Sequence, residues 1–153
     1  MGIRAASHIA IGVSSMDAAL HFYRDLLGLR VALDREERSV DRSGAHPLER
    51  RRRAVYLRWA DGPDATFLVL DEQLDHERRG QAKPMFDIGV HHVAFWVDDL
   101  DAVVNSLTAA GHPPFTGPVE LDTPYYGEQP GGRVRTALLR DPDGNVVQFD
   151  QRV

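Results

Sequence analysis

The chain has 153 residues, 42% of them hydrophobic, which suits one compact domain and excludes an array of several independent ones. Its net charge of −5 argues against nucleic acid as a partner, and the absence of cysteine excludes disulfides, thiolate metal sites and a cysteine nucleophile. No apolar run has membrane-spanning length and no secretion signal is evident, so we expect no membrane partner and a cytoplasmic location.

The chain contains an internal repeat. One copy begins SHIAIGVSSMDAALHFYRDLLG at Ser7, and the other begins HHVAFWVDDLDAVVNSLTAAG at His91. His8 and His92 are 92 − 8 = 84 positions apart, and nearly the same offset relates the glycines Gly28 and Gly111. A fixed offset across a strand, a helix start and a helix end indicates duplication.

The first copy begins with alternating apolar residues after His8, a pattern that predicts a strand. Ser14 or Ser15 then supplies a helix N-cap, and Gly28 supplies the left-handed residue after the helix. Three strand-like runs follow: LRVALD, AVYLRWA and TFLVLDE, the last two joined by the turn DGPD. Module 1 is therefore predicted as a βαβββ unit over residues 1–72.

Residues 35–53, REERSVDRSGAHPLERRRR, interrupt this pattern with charge, Gly and Pro. The lack of an apolar period predicts a mobile loop. The run from Arg50 to Arg53 leaves two interpretations open: a solvated loop, or a lid or anion clamp over a pocket.

The second copy repeats the order after a polar linker predicted at residues 73–88. Its strand begins at His92, Asp98 or Asp99 caps its helix, and Gly111 ends it. The strands PVEL, RVRTALLR and NVVQFDQ follow, with the turn DPDG between the last two. Module 2 is predicted over residues 89–153, and the fold class as α+β with two βαβββ modules in a single domain over residues 1–153.

A βαβββ repeat that opens on histidine and ends in DPDGN resembles the vicinal oxygen chelate superfamily, which includes glyoxalase I, extradiol dioxygenases and bleomycin-binding proteins. The segment GVHHVAFWVDDLDA resembles the start of a second module in that superfamily. The resemblance covers nearly the whole chain and implies a half-open mixed β-barrel with flanking helices. It also implies a homodimer. It does not decide the reaction, because this scaffold carries unrelated chemistries.

The resemblance implies a metal site built from strand positions of both modules. Two of its positions fall on His8 and His92, which strand alternation turns away from the helix-facing apolar residues. The remaining two fall on Gln148, where the superfamily usually has Glu, and on Val69, which cannot be a ligand. The expected set is therefore His8, His92 and Gln148 around Fe, Mn, Ni or Zn. Asp71 and Asp150 are weaker alternatives, and His91 is expected on the opposite face.

Two departures affect the reaction. Extradiol dioxygenases have a tyrosine before the DP turn, and here Leu138 stands in its place. Leu138 is expected to line the substrate pocket. Tyr56 occupies the corresponding position of the first copy. The carboxylates that serve as bases in glyoxalases are missing at Val69 and Gln148. A base would then have to come from Glu128, Tyr125 or Tyr126 in the loop DTPYYGEQPGG, or from Glu72. Glu128 and Tyr56 are the catalytic candidates.

The same loop carries Tyr125 and Tyr126, which together with Trp96 suit stacking against a flat, aromatic or polyoxygenated small molecule. Alternatively, the loop is an ordinary glycine-rich connector. Three hypotheses remain open: a metal-dependent lyase, isomerase or dioxygenase, a metal-free binding or resistance protein, and a metal-free enzyme.

Overall fold

The computed structural model describes residues 2–76 and 80–153 and divides the chain into two compact units, residues 1–80 and 81–153. The division lies inside the predicted linker 73–88, of which residues 77–79 are outside the described residues. The first residue of the predicted linker, Gln73, still belongs to the sheet, because the last strand of unit 1 ends at that residue. The single-domain organisation over residues 1–153 remains a prediction.

Unit 1 is a βαβββ unit with one mixed four-stranded sheet. Its elements are β1 (His8–Gly12), α1 (Met16–Leu20) continued by a π-helical segment (His21–Leu26), β2 (Arg30–Asp41), β3 (Leu48–Arg58) and β4 (Phe67–Gln73). The strand order is β1-β4-β3-β2, with β1 parallel to β4 and the other pairs antiparallel.

Unit 2 repeats this topology. Its elements are β5 (His92–Trp96), α2 (Leu100–Ala109), β6 (Thr116–Asp122), a short 3₁₀ segment (Thr123–Tyr126), β7 (Arg133–Arg140) and β8 (Val146–Arg152). The strand order β5-β8-β7-β6 matches that of unit 1, including the single parallel pair. The α+β class with two βαβββ modules is confirmed.

The helix boundaries follow the predicted signals. Ser15 caps α1 by accepting a hydrogen bond from the backbone N–H of Ala18, and Asp99 caps α2 in the same way through Ala102. Positive φ angles of 74° at Gly28 and 92° at Gly111 follow the helical segments, where glycine adopts the left-handed conformation without a Cβ clash. In the part of the chain that the structure describes, no helix is long and apolar enough to cross a membrane.

The mobile loop predicted at residues 35–53 is wrong, because most of it is a long hairpin formed by β2 and β3. Its charges alternate in sign across the strands: Arg51 pairs with Glu36 at 2.5 Å and Arg53 with Asp34 at 2.7 Å. Opposite charges on paired strands stabilise a hairpin that has little apolar content. Since these arginines have carboxylate partners, the anion clamp has no support.

The strand register establishes which positions of the two modules correspond. Tyr56 on β3 lies opposite Val69 on β4, as Leu138 on β7 lies opposite Gln148 on β8. Each sheet packs one face on its own helix, through β4 in unit 1 and through β7 and β8 in unit 2. In unit 2, Arg135 contacts Asp101 of α2, and the Gln151 side chain accepts from the first N–H of α2. We call the other face of each sheet its non-helical face.

Candidate functional site

A buried carboxylate lies at the centre of the non-helical face of unit 2. Asp150 is only 3% exposed, and its Oδ1 accepts hydrogen bonds from the Tyr126 hydroxyl at 2.9 Å and from Gln148 Nε2 at 2.9 Å. Gln148 Nε2 also lies 3.1 Å from Asp150 Oδ2. Both donors are neutral groups, and between them they satisfy both oxygens of the Asp150 side chain.

The orientation of the Gln148 amide follows from these bonds. Because the NH₂ group is directed at Asp150, the carbonyl oxygen of the amide points away from it. A carbonyl oxygen is the atom through which an amide ligates a metal or accepts from a substrate. Asp150 thus fixes Gln148 in the orientation in which it can act as a ligand.

The Tyr126 hydroxyl is held as a proton donor. Burial, together with its bond to the Asp150 carboxylate, raises the pKa of Tyr126 to about 12, against a smaller opposing effect of Thr136 and Gln148. A phenol in this state remains protonated at neutral pH. Tyr126 is therefore suited to orienting Asp150, and unsuited to acting as a base.

An aromatic platform borders this cluster. Trp96 is 54% exposed, and its ring centroid lies 5.6 Å from that of Tyr126. The Arg152 guanidinium lies 4.5 Å from the centroid of the Trp96 indole, which is cation–π distance. The predicted stacking residue Tyr125 is 77% exposed in the 3₁₀ segment, where it is accessible to a ligand.

The predicted base Glu128 forms a two-point ion pair with Arg152, with distances of 2.6 and 2.9 Å. This hydrogen bonding to the guanidinium lowers the pKa of the Glu128 carboxyl, which makes it a weaker base. Its evident structural effect is to hold Arg152 over Trp96. The loop is further ordered by Thr123, whose buried hydroxyl donates to the Gln129 carbonyl at 2.7 Å.

His92 begins β5 on the same face as Gln148. It lies two residues along the strand from Ala94, which pairs with Gln148. Burial first, and the neighbouring His91 second, lower the pKa of His92, while Asp150 opposes the shift. The neutral form therefore predominates at pH 7, and neutral imidazole is the form that binds metals. The two Nδ1 atoms of His91 and His92 are 2.8 Å apart, so one ring donates to the other there, and the Nε2 atom of His92 takes no part in this contact.

The expectation that His91 faces away from His92 is wrong. β5 begins at His92, so His91 precedes the strand and is not subject to its alternation. The two rings are 4.7 Å apart between centroids.

In unit 1 the corresponding histidine belongs to an aromatic cluster. His8 is exposed and stacks on Phe67, with ring centroids 5.2 Å apart, and its Nδ1 lies 3.2 Å from the Ser7 hydroxyl. Tyr56 lies 5.9 Å from the same Phe67 ring, and the Arg58 guanidinium lies 4.7 Å from it. Tyr56 and Phe67 therefore give this face an apolar, planar character.

The repeat-related carboxylate of unit 1 is in a different electrostatic state. Asp71 accepts from a guanidinium, that of Arg52, which also pairs with Glu37 at 2.5 Å. Gln73 Nε2 donates to Asp71 at 3.2 Å. Asp71 therefore has a cationic partner within its own sheet, whereas the donors described for Asp150 are the neutral Tyr126 and Gln148.

A divalent metal is the cofactor that the resemblance implies, and the donor atoms of unit 2 suit one. His92 offers a neutral imidazole, Gln148 an amide oxygen turned away from Asp150, and the buried Asp150 a nearby negative charge. Across residues 2–76 and 80–153 there is no cluster of three or more His, Cys, Asp or Glu side chains suited to a metal. The predicted set contains two histidines and one glutamine, and glutamine is not among these four residue types.

Sequence reasoning underestimated two residues here. Asp150 was only a weak alternative ligand, yet the structure makes it the hydrogen-bonded centre of the site. Arg152 was not identified, although it contacts Trp96 and Glu128. The signal available in the sequence was the alternation of Gln148, Asp150 and Arg152 along one face of β8.

These features define a protein that presents polar and aromatic side chains on the non-helical faces of two βαβββ sheets. A family model described as the Glyoxalase/Bleomycin resistance protein/Dioxygenase superfamily matches residues 5–149, and the chain belongs to that superfamily.

Two groups of relatives are similar over almost their full length. A lactoylglutathione lyase from Haemophilus influenzae is 27% identical over 93% of this chain and 88% of its own, and one from Neisseria meningitidis is 26% identical over 95% and 88%. Among solved structures, a glyoxalase family protein from Bacillus cereus has a TM-score of 0.70 at 16% identity, covering 100% of this chain and 97% of its own. TnmS3, an antibiotic binding protein from a Streptomyces species, has a TM-score of 0.59 at 25% identity, covering 100% and 99%.

Proposed function

We propose that this chain is a small-molecule enzyme of the superfamily, acting as a metal-dependent lyase or isomerase on a substrate with neighbouring oxygens. The observation that carries the proposal is the Gln148 amide, which Asp150 orients with its carbonyl oxygen available, on the same face as the neutral His92. The curated relatives named lactoylglutathione lyase favour this class over the dioxygenases. The replacement of tyrosine by Leu138 favours it as well.

The proposed metal ligands are His92 and Gln148 of unit 2 and His8, the repeat-related histidine of unit 1. When bound, a divalent cation supplies Lewis-acid polarisation of a substrate's two oxygens. Trp96 and Tyr125 would bind a planar part of the substrate by stacking, while the buried Leu138 lines the sheet opposite Gln148. Tyr56 of unit 1 is the other proposed catalytic residue, and Glu128 would act indirectly through Arg152.

The first test is metal content combined with thermal stability. Protein purified without chelator or His tag is expected to contain up to one equivalent of Fe, Mn, Ni or Zn, and chelation is expected to lower its melting temperature. A ligand present at 100 Kd stabilises the folded state by about 2.7 kcal/mol. Each kcal/mol corresponds to roughly 2 to 4 °C in a domain of this size. A metal-free preparation whose melting curve ignores both chelator and added metal would contradict the proposal.

A second candidate is a metal-free binding or resistance protein. The fold likeness to an antibiotic binding protein and the exposed platform of Trp96 and Tyr125 favour it. It differs experimentally from the enzyme in that a bound aromatic compound would be released unchanged, and in that the Trp96→Leu variant would lose binding in the presence of chelator.

The superfamily also implies a homodimer, and we propose one for this chain. Multi-angle light scattering at micromolar concentration is expected to give twice the chain mass of 17.1 kDa. A mass of one chain under the same conditions would contradict this.

A further inference from the structure

The outer strand of the sheet differs between the two units. β2 and β6 occupy the same place in the strand orders β1-β4-β3-β2 and β5-β8-β7-β6, so each has a single neighbour among the described strands of its sheet. β6 has seven residues and contains Pro118, which has no N–H to offer to a further strand. β2 has 12 residues and contains neither glycine nor proline. The duplication has therefore left unit 1 with a long edge that another strand can extend.

The side chains of β2 are exposed and carry charges of both signs. Leu33 and Val40 are exposed apolar residues, and between them runs the charged segment DREER, residues 34–38. The ionisable residues of β6 are both acidic, Glu120 and Asp122, so two β6 strands would repel each other. An edge with both signs of charge can instead match its own copy in one register and not in others.

We propose that two copies of the chain associate by antiparallel pairing of their β2 strands, with the two-fold axis at Glu36. A closed dimer has a two-fold axis, and in an antiparallel pair such an axis places one residue opposite its own copy. Residues equally distant from Glu36 then face one another. Asp34 faces Arg38 of the second copy on one face of the sheet, and Arg35 faces Glu37 on the other. This inference rests on the proposed homodimer and assigns it an interface.

Neighbouring registers lose this charge complementarity. With the axis at Arg35, Asp34 would face Glu36, which has the same sign of charge. With the axis at Glu37, only one kind of opposite-charge pair would remain. In the proposed register Glu36 meets its own copy, and this contact is tolerable because each Glu36 is paired with Arg51 of its own chain at 2.5 Å.

Cysteine cross-linking tests the register, because the chain contains no cysteine of its own. Glu36→Cys would place two cysteines directly opposite each other, at a Cα separation of about 4.5 to 5.5 Å, which a disulfide accepts. We expect most of this variant to become a covalent dimer on mild oxidation with diamide.

Leu33→Cys and Ser39→Cys are the matched controls on the same strand. Each position lies about 20 Å from its own copy in the proposed register, so neither variant is expected to cross-link alone. An equimolar mixture of the two is expected to cross-link after subunit exchange, because Leu33 faces Ser39 of the second copy.

Arg38→Glu tests the same interface without a covalent bond. It places an acidic residue opposite Asp34 twice in each dimer, and the dissociation constant of the dimer, measured by analytical ultracentrifugation, is expected to rise about 10-fold. Arg38→Ala removes the attraction without adding repulsion and should have a smaller effect.

The outcomes separate the interface from the dimer. A parent dimer that Glu36→Cys does not cross-link would overturn this inference and leave the homodimer in place. So would cross-linking of Ser39→Cys alone as complete as that of Glu36→Cys, or a dimer of Arg38→Glu as tight as the parent's. A parent mass of one chain would overturn the homodimer, and this inference with it. Metal content is measured separately and is independent of each of these results.

Discussion

His92→Ala and His8→Ala are each expected to abolish measurable metal binding, while Gln148→Glu is expected to tighten it. Each imidazole supplies a main bond to the cation, and neutral His92 is already in its binding form at pH 7. A carboxylate at position 148 adds direct charge compensation to a site that otherwise contains only neutral ligands. Calorimetric titration of the metal-free proteins measures all three affinities.

His21→Ala is a suitable control for these variants, because His21 lies on the helical segment of unit 1 and pairs with Asp25 at 3.5 Å. It is expected to leave metal affinity unchanged. Equal affinities for the parent, the two histidine variants and Gln148→Glu would show that these residues are not the ligand set. Loss in His92→Ala with no change in His8→Ala would restrict the set to unit 2.

Gly117→Ala is expected to destabilise the protein by roughly 2 to 4 kcal/mol, the largest loss that we expect from a single methyl group. Gly117 has a φ of +84°, and a Cβ atom there would lie 2.4 Å from the backbone carbonyl oxygen of Thr136. Relief requires β6 to move away from β7 beside the row that contains Asp150. Equilibrium urea unfolding measures the loss.

Gly111→Ala is the matched control, since Gly111 has a similar φ of +92° but nothing within 4 Å of an added Cβ. It retains the backbone strain without the collision and is expected to cost about 1 kcal/mol. A Gly117→Ala loss no larger than that of Gly111→Ala would show that β6 adapts without cost. Reduced metal affinity in folded Gly117→Ala would connect the β6 position to the site.

The repeat, the helix caps and most strand positions could be predicted because they depend on local chemistry. Ser15 and Asp99 accept from the first turn of their helices, and Gly28 and Gly111 adopt positive φ, whatever the rest of the chain does. The correspondence of Val69 with Gln148 followed from the repeat and agrees with the strand register.

The hairpin of β2 and β3 could not be predicted in the same way. Its residues lack an apolar period, and the pairing of Arg51 with Glu36 joins positions 15 apart in sequence. A one-dimensional pattern shows such a segment only as a charged run.

The sequence by itself determined the two-module α+β fold and the face on which His8, His92 and Gln148 lie, because strand alternation is a local property. Only the tertiary structure decided which neighbours each of these groups has. It brings the Tyr126 hydroxyl, 24 positions away along the chain, to Asp150, and it pairs Asp71 with Arg52. These contacts give the two repeat-related side chains different partners, a guanidinium for Asp71 and a phenol with an amide for Asp150.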